Sequence, residues 1–231
     1  MVSVDISKSL GDLLIEDPRR SRVLEGLGLD YCCNGHRPLR DAVAQAALDL
    51  DTVVKALELP DPPAPTDVAM PAQNAALAHD IVDTHHAYMW AEMPRLQALV
   101  DKVASVHGAR HPELLAVQAT YTKAVAALDP HMSTEERVVF PAISKMEKSQ
   151  ALERSLAGDL EELRAEHDAV GELLKEIRRL TADFTVPDDA CASYKMMLSG
   201  LKEMELDLHE HIHKENNVLF PRVLELEAQL A

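Results

Sequence analysis

The stretch HMSTEERVVFP, residues 131–141, returns eighty residues later as HIHKENNVLFP, residues 211–221. Both read H-x-x-x-E-x-x-x-x-F-P, and the positions between the fixed points mostly differ. On a helix, residues i and i+4 lie about 40° apart around the axis and one turn along it. His131 and Glu135 therefore share one face, as do His211 and Glu215. An imidazole nitrogen and a carboxylate presented together make a two-point platform for a transition metal.

The repeat extends upstream of each copy. His86, in THHAYMW, lies 45 residues before His131, and His167, in AEHDAVGELL, lies 44 residues before His211. Spacing does not choose between His86 and its neighbour His85. The chain reads as two helical hairpins, each with a His on its first helix and an H-x-x-x-E on its second. Stacked with pseudo-twofold symmetry, they bring four imidazoles and two carboxylates into the middle of a bundle, a set suited to a pair of iron or manganese ions. If both Glu bridge, each ion receives two His nitrogens and two Glu oxygens. Room is left for a bridging oxide or hydroxide and an open position, as a site that binds small ligands requires. A single His-x-x-x-Glu is ordinarily a solvated pair. Two copies with the same Phe-Pro tail, each preceded by a His at nearly equal distance, are not a surface pattern. Phe140 and Phe220 are expected in the core beside the metals, with Pro141 and Pro221 kinking or ending their helices.

The rest of the chain agrees with a helical frame. Its 231 residues are 47% apolar but only 3% aromatic, the composition of an aliphatic all-α core. No strand-like alternation appears. The net charge of −16 disfavours nucleic acid and anionic membrane as partners. No stretch approaches the roughly 18–20 apolar residues of a bilayer span, and the N-terminus carries acidic residues where a secretory signal would be basic and apolar. Three cysteines are too few for a disulfide framework. A cytoplasmic protein is expected.

Residues 59–73, LPDPPAPTDVAMPAQ, carry five prolines and read as a linker between a helical segment 1–58 and a bundle 74–231. In the first segment Asp17-Pro18 is a helix start, Val23, Leu24 and Leu27 an apolar stripe, Gly28 a stop, and DYCCNGHRP a loop. So small a unit should lean on the bundle or on a second subunit, which makes a homodimer a further expectation. The bundle helices are expected over about 74–104, 112–146, 152–182 and 188–231, joined by short spacers that suit an up-down arrangement. Pro130 should interrupt the second, with Asp129 capping a restart.

These motifs, DYCC, H-x-x-x-E-x-x-x-x-F-P, EHDxxGELL and HIxxENNVLFP, resemble the repair-of-iron-centres family over nearly the whole chain. The second segment is similar to hemerythrin-like di-iron bundles. The resemblance implies an antiparallel four-helix bundle with two non-haem iron ions held by His86, His131, Glu135, His167, His211 and Glu215, the two Glu bridging. It thereby favours His86 over His85, which is expected at the bundle's edge. It implies repair of iron–sulfur clusters damaged by nitrosative or oxidative stress, with damaged iron–sulfur proteins and nitric oxide or oxygen species as partners. The route is either binding of those small molecules at the open positions or donation of iron. Reduction of nitric oxide there would make the protein an enzyme. A hemerythrin-like oxygen carrier or sensor is the alternative, but its site usually presents five His rather than four. Cys32 and Cys33 belong to the family's N-terminal signature and are candidates for a thiol relay. Where the family often has glycine after the paired cysteines, this chain has Asn34, which tolerates a left-handed turn.

Other residues read more plainly. Cys191 is expected as a small apolar filler. His209 and His213 lie about 200° from His211 and are expected on a solvated face. His79 reads as core or partly exposed, and His36, His107 and His111 fall in loops. Glu166 reads as a plain surface Glu, with a carboxylate behind a ligand or at an entry path as its functional alternative. No phosphate loop, nucleophile elbow or tetrahedral Cys/His zinc spacing is present, so nothing points to hydrolysis.

Overall fold

The computed structural model describes residues 4–59 and 70–231. Most of the expected Pro-rich linker, residues 60–69, lies outside the described residues. Among the described residues there are helices and no strand, only an isolated bridge between Ser9 and Pro38.

The N-terminal part is built from α1 (Leu10–Glu16), a short 3-10 turn (Pro18–Arg20), α2 (Ser21–Gly26), α3 (Leu39–Gln45) and α4 (Leu50–Leu57). Ser9 starts α1 with a capping box to Asp12, and Asp17 caps the turn that opens on Pro18. Gly28, at φ +66°, ends this run of helix, a conformation that favours glycine. Leu10, Leu13, Leu24, Leu39, Val43, Val53 and Leu57 close a small core, which Ile212 of the bundle completes.

The bundle has four rods. The first joins α5 (Asn74–Ile81) to α6 (Ala87–His107), the second α7 (Glu113–Thr134) to α8 (Phe140–Ser149). The third is α9 (Ala157–Leu180), and the fourth joins α10 (Ala192–Lys214) to α11 (Phe220–Leu230). Three rods widen in their middle into a single π-helical turn, at Val82–His86, Glu135–Val139 and Glu215–Leu219. Such widened turns are frequent at functional sites. They also correct the expectation for the Phe-Pro tails. Pro141 and Pro221 neither end nor break their rods. Each stands at the start of the helix after a π turn, where the local change in ladder accommodates its missing N–H.

Pro130 likewise fails to interrupt its helix, since α7 runs through it without a restart at Asp129. Pro130 and Ala126, whose carbonyl it leaves without a donor, both face solvent, so water can serve that carbonyl. Two apolar layers flank the middle of the bundle. One gathers Met93, Leu96, Val117, Tyr121 and Leu201, the other Leu77, Ile81, Ile143, Leu163, Phe220 and Val223. The polar side chains between these layers form the site.

Candidate metal centre

Each π turn or adjoining helix end aims one side chain inward. His86 ends the first π turn, His131 lies in the last turn of α7, and Glu135 opens the second π turn. His167 comes from the middle of α9, His211 from the last turn of α10, and Glu215 opens the third π turn. All six are buried, and both Glu are fully so.

They fall into two groups that share the carboxylates. Nε2 of His86 lies 3.2 Å from Nε2 of His211, and Nε2 of His131 lies 3.0 Å from Nε2 of His167. Glu135 sets Oε2 3.4 Å from His86 and Oε1 3.4 Å from His131. Glu215 sets Oε1 3.0 Å from His211 and Oε2 3.1 Å from His167. Every carboxylate thus spends one oxygen on each group, which makes two four-atom clusters capable of holding a metal ion. Ligands at right angles on an ion with bonds of about 2.0–2.2 Å are about 3 Å apart, close to these separations.

The surroundings prepare the imidazoles as donors. Nδ1 of His86 faces Glu136 Oε1 at 3.0 Å, a carboxylate also held by Trp90 Nε1 at 2.8 Å. Nδ1 of His131 faces Glu166 Oε2 at 2.6 Å, and Nδ1 of His167 faces Asn216 Oδ1 at 3.0 Å. An acceptor behind Nδ1 keeps the proton there and leaves the Nε2 lone pair pointing inward. Both oxygens of Glu135 and one of Glu215 are buried without a hydrogen-bond donor. Converging lone pairs and undonated buried carboxylates are costly unless cations neutralise them, so the residues present fit a pair of metal ions. Burial works against charge on His167, yet Glu215 and Glu135 prevail and raise its imidazole to about 9. Burial likewise opposes ionisation of Glu215, but His211 and His167 hold it well below the usual carboxylate range.

Phe140 stacks on His86 at 5.8 Å and Phe220 on His167 at 6.1 Å, the apolar walls that the repeat suggested. Glu166 is exposed, as a surface Glu is, and it also stands behind His131. Glu136, Trp90 and Asn216 escaped the sequence reading. The signal for two of them was present, because Glu136 and Asn216 occupy the same position of the repeat, just after the inward Glu.

Several neighbouring histidines depart from expectation. His85 is buried rather than at an edge, with Nδ1 2.9 Å from Asp207 and its ring stacked on His211 at 5.5 Å. His209 and His213 point away from the centre, but the N-terminal part covers them, so neither is on a solvated face. Tyr31 packs edge-on against both. Burial disfavours charge on His209, though Glu25 prevails and raises it, while burial pushes His213 down to about 4. His107 closes α6, buried, with Nε2 3.2 Å from Cys191 Sγ. His111 is held between Glu113 and Asp189. Cys191 is exposed at the start of α10 and fills no core.

The DYCC loop rests on the centre's rim. Asn217 Nδ2 donates to the carbonyls of Tyr31 and Cys32 at 3.3 and 3.2 Å, and Cys33 Sγ lies 3.8 Å from the His167 carbonyl. Asn34 does not take a left-handed turn; its side chain instead donates to Asp30 at 3.0 Å and accepts from Arg37.

Comparison with known proteins agrees with this geometry. Residues 77–223 match the family model described as hemerythrin HHE cation binding domain. Residues 6–61 match one described as a domain of unknown function, DUF542. The chain is 35% identical over 216 residues to the iron-sulfur cluster repair protein YtfE of Enterobacter sp. (strain 638), covering 93% of this chain and 96% of that one. It is 33% identical over 219 residues to the protein of that name from Yersinia pestis (strain Pestoides F), covering 94% and 97%. The same figures hold for the one from Yersinia pseudotuberculosis serotype O:1b (strain IP 31758). With its all-α bundle, paired His/Glu clusters and end-to-end similarity, the chain belongs to the family of the iron-sulfur cluster repair protein YtfE and carries a hemerythrin-like cation-binding domain.

Proposed function

We propose that this chain is a cytoplasmic di-iron protein that repairs iron–sulfur clusters damaged by nitrosative or oxidative stress. In this reading residues 74–231 form the iron-binding unit and 1–58 a smaller helical unit joined through the Pro-rich run. His86, His131, Glu135, His167, His211 and Glu215 hold two iron ions, with Glu135 and Glu215 bridging. When bound, the iron pair supplies open positions for nitric oxide or oxygen species and a store of exchangeable iron for damaged iron–sulfur proteins.

The observation that carries the reading is the pairing of Nε2 atoms at 3.2 and 3.0 Å around two shared, fully buried carboxylates. The chain's own residues do the preparation. Glu136, Glu166 and Asn216 keep three imidazoles in the donor tautomer, and Phe140 and Phe220 exclude water from one side of each cluster. Only four imidazoles reach the clusters among the described residues, since His85 turns Nδ1 to Asp207. That count supports repair over a five-His oxygen carrier.

Metal analysis with Mössbauer spectroscopy tests the proposal. Two irons per wild-type chain, lost in Glu135→Ala/Glu215→Ala, are expected. A single zinc per chain would overturn it. Rapid reaction with nitric oxide, against a stable and reversible oxygenated spectrum, separates repair from carriage.

A further inference from the structure

A second set of metal-ligating side chains lies outside the bundle centre, in the loop that joins α2 to α3. Asp30, Cys32 and Cys33 bring one ligand atom each within 4.8 Å of one another. Cys32 Sγ is 3.8 Å from Cys33 Sγ and 3.4 Å from Asp30 Oδ1, and both thiols are free. On a tetrahedral ion with metal–sulfur bonds of about 2.3 Å, two thiolates sit about 3.8 Å apart and a thiolate and a carboxylate oxygen about 3.5 Å. The two separations from Cys32 Sγ therefore match two edges of a tetrahedral coordination shell, and the third atom pair lies within 4.8 Å. From this we infer that Asp30, Cys32 and Cys33 form a separate site for a thiophilic divalent cation such as Zn²⁺ or Fe²⁺.

Several features of the loop prepare it for an ion. The backbone amides of Cys33 and Asn34 donate to Asp30 Oδ1 at 3.0 and 3.3 Å, and Asn34 Nδ2 donates to Oδ2 at 3.0 Å. These donors orient the carboxylate as supporting partners orient metal ligands. Lys175 approaches Oδ2 at 3.4 Å, while Oδ1 faces the Cys32 sulfur. A pocket of about 150 Å³, lined by all three residues together with Gly171 and Lys175, gives the fourth coordination position access to solvent or to an incoming ligand. Cys33 also borders a wider cleft lined by Arg164, Asn216 and Pro221.

Gly171 on α9 is part of this arrangement. A Cβ there would lie 3.5 Å from Cys33 Sγ, in van der Waals contact with the sulfur. The two thiol protons leave to solvent as the cation binds. A disulfide between sequence neighbours is the strained alternative.

This site does not rest on the bundle centre holding iron. The test uses the full-length reduced protein with the bundle's own metal in place, titrated with Co²⁺. Thiolate-to-cobalt charge-transfer absorption with tetrahedral visible bands is expected at one equivalent. The signal is specific, because the bundle clusters contain no sulfur. Cys33→Ser, with helicity and bundle metal retained, should abolish that pattern, and Cys32→Ser should do the same. Asp30→Asn should weaken cobalt binding by about tenfold or more. Cys191→Ser should leave the spectrum unchanged. Absence of charge-transfer absorption in the wild type overturns the site. So does its survival in folded Cys33→Ser, or its loss in Cys191→Ser.

Discussion

Glu166 Oε2 stands 2.6 Å behind Nδ1 of His131, whereas Nδ1 of His211, the corresponding residue of the other hairpin, is buried with no partner. The position equivalent to Glu166, one before the first-helix histidine, is occupied by His85, which stacks on His211 and gives its own Nδ1 to Asp207. The pseudo-symmetry of the repeat is thus broken behind the ligands rather than among them. The His131–His167 cluster has an acceptor behind both imidazoles, and the His86–His211 cluster behind one.

The two metal positions should therefore differ in affinity. Partners of this kind are worth about 10–100-fold in metal binding. Chelator competition is expected to remove the ion at His86 and His211 first, in a biphasic release. Glu166→Ala should weaken the other position by about that factor and bring the two phases together. A release that stays clearly biphasic in Glu166→Ala would refute the assignment.

Phe220 should matter to stability without being needed for ligation. It is fully buried against His167, with the Arg164 guanidinium 5.9 Å from its ring. Phe220→Leu is expected to cost about 1–2 kcal/mol in denaturant unfolding, from lost volume and lost ring contact. Metal stoichiometry by elemental analysis should stay at the wild-type value.

Docking of the DYCC loop depends on a close approach at Gly35. A Cβ there would fall well inside contact distance of the Tyr31 carbonyl and the Asn217 amide, which themselves form the docking bond. Gly35→Ala should cost about 1–3 kcal/mol, the range for overpacking. Limited proteolysis should cut the N-terminal part faster, and Asn217→Ala should reproduce the effect without the clash.

A pH-dependent strap lies at the far end of the bundle. Asp189, more than Glu113, raises the His111 imidazole above its ordinary value of 6.5, and the same contact lowers Asp189. A raised folded value means stabilisation that is fully present below pH 6.5 and lost as pH climbs through the folded value. The melting-temperature difference between wild type and His111→Ala should be largest in mildly acidic buffer and vanish in alkaline buffer. The opposite trend would show that the pair does not act as an ion pair.

Most of the architecture was legible from periodicity, because burying an aliphatic face at intervals of 3 and 4 residues leaves a trace in the chain itself. His131, Glu135, His211 and Glu215 were legible for a related reason, since i, i+4 spacing on a helix dictates a shared face whatever the neighbours do, whereas His167 was legible from the repeat and spacing left His86 level with His85. What stood outside local spacing was misread. Pro130 looked like a break because its freed carbonyl is costly only when buried, and burial is a tertiary fact. His209 and His213 looked solvated because nothing in α10 announces that the N-terminal part will cover them.

The sequence by itself determined that four imidazoles and two carboxylates would meet in the interior of a helical bundle. Only the tertiary structure decided their partners: His86 is matched with His211 and His131 with His167, so each cluster draws on both hairpins and each Glu serves both clusters. It also decided that Glu166, Glu136 and Asn216 stand behind the imidazoles and that three rods widen into π turns. The physical reason is that a helical repeat fixes direction around one axis only. Which atoms come within 3 Å across a bundle depends on the rotation and height of each rod, and packing of the whole core sets both.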